Sequence, residues 1–141
     1  MNIYFACSIT GGRDYEPIYQ SITNALLSDG HEIPTAHLAD ANVKYMEGIV
    51  SPGDVFERDT GWIRACEALV AEVSTPSHGV GYEVAYALSL GKPVLCLYQE
   101  GRPVSKMLTG NSLPNITVKR YQDAEEAVAV IRLFLNKQVG L

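Results

Sequence analysis

The sequence predicts an α/β domain built on a doubly wound parallel sheet. Short apolar runs alternate with helix-length amphipathic segments along nearly the whole chain. Gly-rich or Ser-rich turns follow several of the apolar runs, where strand-to-helix connections belong. Length and composition agree: 141 residues suit one domain, and 47% hydrophobic with 19% charged residues is globular usage.

Asn2 to Cys7 is apolar with aromatic and β-branched members and reads as a strand. Ser8-Ile9-Thr10-Gly11-Gly12-Arg13 follows as a Gly-rich loop. Glu16 to Asp29 reads as a helix, with Pro17 in its first turn and Gly30 as its stop. Its apolar face is Ile18, Ile22, Ala25 and Leu26. His31 to Thr35 reads as a second short strand. Ala36 to Pro52 is long for a connection in a compact domain. Either it is a functional loop or it is a partly helical excursion, and the residues leave both open.

Ser51-Pro52-Gly53-Asp54 starts a second helix that runs to about Ala65. Ala68 to Val73 is a buried strand, Gly79 to Leu90 a third helix and Pro93 to Tyr98 another strand. Val104 to Leu108 fits one helical turn, and Asn115 to Lys119 a last strand. Asp123 caps a final helix striped by Ala127, Val128, Ile131, Phe134 and Leu135. Five strands in the order 2-1-3-4-5, with helices on both faces, place this single domain (1–141) in the Rossmann- and flavodoxin-like class. Ligands then bind beyond the carboxyl ends of the strands, where the loops Ser8–Arg13, Ser74–Gly79 and Gln99–Val104 gather.

Lys plus Arg is 11 against 16 Asp plus Glu, a net charge of -5. That disfavours nucleic-acid polymers and acidic membranes as partners. No apolar run is long enough to cross a bilayer, and Met1 to Ser8 does not read as a signal peptide. Cys7, Cys66 and Cys96 are odd in number and lie in apolar stretches, so we expect free thiols in a reducing, cytoplasmic compartment. No Cys or His spacing suggests a metal, and no cofactor is expected.

Two carboxylates stand where apolar residues belong. Val55, Phe56, Trp62, Ile63 and Cys66 stripe the second helix, and Asp59 fills the gap. Val80, Val84, Ala87 and Leu88 stripe the third, and Glu83 falls on that stripe. A buried carboxylate is costly unless it is paired or hydrogen-bonded. Glu83 alone would fit a charge at the positive end of its helix, and Asp59 alone an ion pair with Arg58, Arg64 or a distant base. Two together, on helices flanking one strand, suggest a shared site. Paired carboxylates suit glycosidic chemistry: an ionised group attacks or stabilises the sugar carbon, and a protonated one serves the leaving group. Ser77-His78-Gly79-Val80-Gly81 adds an anion site, with Ser77 as a cap and the glycines opening the backbone to a ligand. It lacks the third glycine of a dinucleotide fingerprint.

Tyr4 through Arg13, the Glu57-Arg58-Asp59 helix with Trp62, and Ala71-Glu72-Val73 through Gly79-Val80-Gly81-Tyr82-Glu83 resemble the nucleoside 2-deoxyribosyltransferase superfamily. The likeness is nearest to its 2′-deoxynucleoside 5′-monophosphate N-glycosidase branch and runs from Tyr4 to about Gly110. The resemblance implies a hydrolase that releases a free base and (deoxy)ribose 5-phosphate. It implies Glu83 as a nucleophile forming a covalent sugar ester, Asp59 as an assistant at sugar and base, and Tyr4 as the residue that positions Glu83. It implies Ser8, Thr10, Gly11, Gly12, Arg13, Ser77, Gly79 and Gly81 around the phosphate. Ser105 would reach the phosphate of a neighbouring subunit, which implies a homodimer. The family pattern carries an arginine where Thr10 stands.

Serine at 77 and 105, in place of the Asp and Asn of transferases that use unphosphorylated nucleosides, favours a 5′-phosphate, since a carboxylate would repel it. The alternatives are a deoxyribosyltransferase exchanging bases and a nucleotide-binding module without catalysis. Tyr4 also fits a plain core aromatic, Ser105 a helix cap, and Trp62 core packing. His37 and Tyr45 fit either a base pocket or the surface.

Overall fold

A computed structural model describes residues 1–140. Four parallel strands form one sheet in the order β1-β2-β3-β4: β1 Ile3–Ala6, β2 Ala68–Glu72, β3 Val94–Gln99 and β4 Ile116–Tyr121. The helices are α1 Glu16–Ser28, α2 Val43–Gly48, α3 Pro52–Ala65, α4 His78–Ser89, α5 Lys106–Thr109 and α6 Ala124–Gln138, with a 3-10 turn at Ala36–Ala39.

The parallel α/β architecture is as expected, but the sheet has four strands, not five, and its order is 1-2-3-4 rather than 2-1-3-4-5. The expected strand His31–Thr35 is reduced to one parallel bridge, Asn2 to Glu32. The reason is local. Glu32 donates to the Met1 carbonyl and receives from the Ile3 amide, both at 2.9 Å. Pro34 then offers no N–H, and the chain turns with the Ala36 amide on the Ile33 carbonyl. The edge of β1 is finished by a side chain: the buried Thr35 hydroxyl donates to the Phe5 carbonyl at 2.7 Å and accepts from the Phe5 amide at 3.0 Å. One hydroxyl thus satisfies the two groups a fifth strand would have paired.

Alternation along β1 sorts its side chains. Ile3 and Phe5 join Tyr19, Ile22, Leu26, Ile131 and Leu135 under α1 and α6. Tyr4 and Ala6 join Ile63, Val80, Val84 and Ala87 under α3 and α4. Tyr4 therefore points toward the two helices that carry the odd carboxylates. Side-chain caps start both: Ser51 Oγ accepts from the Asp54 amide at 3.2 Å, and Ser77 Oγ from the Val80 amide at 3.3 Å. The stretch from Ala36 to Pro52 is partly helical, and it carries two side chains that matter below.

Candidate active site

Glu83 stands on the second turn of α4 and faces β1. The fully buried Tyr4 donates its hydroxyl to Glu83 Oε2. Burial pushes the Glu83 carboxyl up to about 8. Asp59, on α3, lines the same cavity of about 430 Å³, whose other walls include Val50, Val55, Phe56, Ile63 and Tyr82. The structure thus brings Asp59 and Glu83 to one apolar cavity, with Tyr4 buried behind Glu83 and bonded to it.

The two carboxylates are held differently. Asp59 Oδ1 accepts from Arg58 Nε at 2.8 Å. Arg58 turns its other two nitrogens on Glu47, at 2.6 and 3.1 Å. Glu47 also meets His37 Nε2 at 3.3 Å, and its carboxyl is lowered chiefly by the Arg58 hydrogen bonds. The Arg58 guanidinium lies 4.9 Å from the centre of the Trp62 ring, and the His37 ring meets Trp62 edge-on at 6.0 Å. Trp62 packs partly against the core, as its stripe suggested. His37 does not line the carboxylate cavity; it stands behind Asp59, in this network. Tyr45 is exposed. Arg64 bonds the Tyr86 hydroxyl at 3.1 Å and takes no part.

A second groove, of about 450 Å³, runs along the other flank of α4. Ser77, Gly81, Thr75 and Ser105 line it together with Val84 and Leu108, and no carboxylate does. Gly79, two residues from Ser77 of the groove, lines the carboxylate cavity. A Cβ there would stand 3.9 Å from both Ser77 Oγ and Glu83 Oε1, so the missing side chain leaves a gap between the hydroxyl and the carboxyl. Ser8 and Thr75 are buried, and neither hydroxyl has a partner among the described residues. A Cβ on Gly11 would run into the Pro76 carbonyl oxygen and crowd Ser8 Oγ, so Gly11 lets the first two loops close on each other. Gly12 adopts φ 137° and needs glycine for that reason.

Arg13 is placed as a brace. Its Nε bonds Glu16 at 3.0 Å, and its Nη1 and Nη2 hold the Ser8 and Asp40 carbonyls at 2.9 and 3.1 Å. Thr10 stands exposed at the loop tip. Ser105 caps α5, accepting from the Met107 amide at 3.2 Å, and is exposed.

Sequence reasoning offered Arg58 as one of several ion-pair partners for Asp59, which the structure selects, and missed Glu47 and Thr75. It also missed Glu72, a charge at the end of an apolar strand, which was the one signal open to reading. Glu72 is fully buried and accepts from the Ser74 amide at 2.6 Å, the Ser74 hydroxyl at 2.9 Å and the Tyr121 hydroxyl. Ser74 Oγ in turn receives the Gln99 amide at 2.8 Å. Glu72 thereby anchors the loop that leads to Ser77.

A parallel sheet with two carboxylates and a set of hydroxyls beyond its carboxyl edge defines an α/β protein equipped for chemistry on a small polar molecule. The chain belongs to the nucleoside 2-deoxyribosyltransferase family, whose model matches residues 3–129. It is 40% identical over 119 residues to a Methanococcoides burtonii protein named "Putative 2'-deoxynucleoside 5'-phosphate N-hydrolase 1", covering 84% of this chain and 98% of that one. It is 43% identical over 113 residues to the "5-hydroxymethyl-dUMP N-hydrolase" of Mus musculus, covering 77% of this chain and 65% of the mouse protein. Among solved structures, the CMP N-glycosidase of Clostridium botulinum shares the fold, with a TM-score of 0.71 at 18% identity, covering 94% of this chain and 98% of that one.

Proposed function

We propose that this protein hydrolyses the N-glycosidic bond of 2′-deoxynucleoside 5′-monophosphates. The observation that carries the reading is the placement of Glu83: bonded by Tyr4, in one cavity with Asp59, and across the Gly79 gap from Ser77. The names of the relatives agree with it. In this reading ionised Glu83 attacks C1′ of the sugar. The C1′–N bond breaks with its electron pair going to the base, which takes a proton from water, and the sugar becomes an ester of Glu83; the water that attacks in the second step returns that proton. Water then attacks C1′, frees the carboxylate and yields the sugar 5-phosphate, so one water is consumed per bond cleaved. Tyr4 holds Glu83 in line through both steps. Asp59, on the base side of the cavity, stabilises the cationic sugar and serves the departing base.

The 5′-phosphate lies between Ser8, Ser77 and the glycines Gly79 and Gly81, at the start of α4, where amides and the helix dipole favour an anion. The absence of a carboxylate along the Ser77 groove supports a phosphate over a 5′-hydroxyl. Thr10 and Arg13 serve that loop as tip and brace. A homodimer fits the groove along α4 and α5, which presents apolar walls and Met107 at 80% exposure. A second copy there would set its Ser105 against the neighbouring phosphate. Three unpaired buried thiols suit a reducing compartment.

The test is chromatographic detection of free base from a panel of nucleotides, with matching nucleosides and Glu83→Ala as controls. Base release from monophosphates alone, abolished in Glu83→Ala, is the expected result. Reaction of nucleosides only, faster with an acceptor base, would replace this reading with the transferase. Mixing Glu83→Ala with Ser105→Ala protomers tests the dimer: shared sites predict an activity that differs from the sum of the two.

A further inference from the structure

The charged network behind Asp59 has no place in the reaction just described, yet it joins four charged or titratable side chains by hydrogen bonds. Three elements converge on it: His37 from the 3-10 turn, Glu47 from α2, and Arg58 with Trp62 from α3. Arg58 is its hub. All three guanidinium nitrogens are engaged, two on Glu47 and one on Asp59, and its flat face covers Trp62. A planar fork can hold two carboxylates in fixed relative orientation, as an ammonium cannot. The Arg58 and Glu47 side chains are 25% and 14% exposed, so water screens the pair only in part.

The geometry points to Arg58 and Glu47 as positioning residues: they aim the Asp59 carboxylate, and they pin α2 so that Val50 closes the cavity. Arg58 occupies one oxygen of Asp59 and leaves Oδ2 without a protein partner, on the residue that lines the cavity with Glu83. Val50 follows α2 by two residues and lines that same cavity, so the Glu47 contact fixes wall and carboxylate together. This inference rests on the glycosidase reading for its catalytic consequence, but not for the clasp itself.

Two measurements test it. Trp62 is the only tryptophan in the sequence, so intrinsic fluorescence reports on the guanidinium above it. Glu47→Gln should make Trp62 more accessible to acrylamide, because Arg58 loses the partner that holds it over the ring. Unchanged quenching and emission would mean that the clasp does not form in solution, and the inference would fail there. The second measurement is a double-mutant cycle on base release. Arg58→Met keeps the stem over Trp62 and removes the fork; it should lower kcat by about 10- to 100-fold, the scale of a misplaced group, with a smaller change in KM. Arg58→Lys should not rescue, because it cannot span both carboxylates. In an Asp59→Asn background, Arg58→Met should cost nothing further, since Arg58 acts through Asp59. An equal loss in both backgrounds, or a loss tracking lowered Tm, would reduce Arg58 to a structural ion pair. If the wild type released no base from any nucleotide, the glycosidase reading would fall, and the tryptophan measurement alone would decide the clasp.

Discussion

The two carboxylates share one cavity but live in opposite surroundings. Glu83 sits on an apolar stripe with a single donor, Tyr4, and burial raises its carboxyl to about 8. Asp59 sits against a guanidinium that is itself gripped by a second carboxylate. One environment penalises the charge and the other pairs it. In the proposed reaction that contrast separates the roles: the group with a costly charge is reactive when ionised, and the paired one is a fixed field toward the sugar and base. What differs is the length of the support. Glu83 leans on one residue of the edge strand β1, whereas Asp59 depends on a chain of contacts reaching into the segment between β1 and α3.

The comparison breaks most severely at Glu83. Glu83→Gln keeps the shape and removes the proposed nucleophile, so base release should fall by roughly 10⁴-fold or more, read as free base over time. Asp59→Asn comes next. Loss of its charge should lower kcat by about 10²- to 10⁴-fold while leaving nucleotide binding measurable by calorimetry, because the proposed phosphate site at Ser77 does not include Asp59.

The pH profile sharpens the contrast. Attack requires ionised Glu83, so kcat/KM should climb with pH and level off above about 8. Tyr4→Phe removes the donor that favours the ionised form. The activity should drop by about 10- to 100-fold at neutral pH, and the rise should move to higher pH. A profile that falls through the same range would show that Glu83 works as an acid.

The smallest effect is on stability, and its sign is set by the same burial. The folded Glu83 pKa of about 8 lies above its ordinary value of 4.5. Between those values the folded protein holds a proton that the unfolded chain has released. The stability tied to that proton is fully present below about 4.5 and is lost as pH rises through 8. Glu83→Gln should therefore raise Tm more at pH 9 than at pH 4, a gain of a few degrees by thermal melting. An equal gain at both pH values would mean that the carboxyl is well solvated.

Much of this was legible in the residues. Asp59 and Glu83 stood out because each interrupts an apolar stripe, and helical spacing fixes which face a residue takes. Alternation along β1 turns Tyr4 to the α3 and α4 side, and the caps at Ser51 and Ser77 start their helices as the sequence indicated. The His31–Thr35 strand was misread because apolar alternation cannot reveal that one threonine hydroxyl will take over the Phe5 backbone groups. Arg13, expected near the phosphate from its loop and from the family resemblance, donates to the Ser8 and Asp40 carbonyls, a bracing role that its place after a Gly-rich loop does not reveal. Glu47 carried no signal, since it lies in an irregular stretch eleven residues from Arg58.

Local order determined the elements, their faces and the carboxylate pair, because periodicity and capping act within a few residues. Tertiary structure alone decided how each carboxylate is held, and for Glu83 how far burial raises its carboxyl. Desolvation and ion pairing depend on which distant groups arrive within a few ångströms, and the spacing of residues along a chain does not encode that.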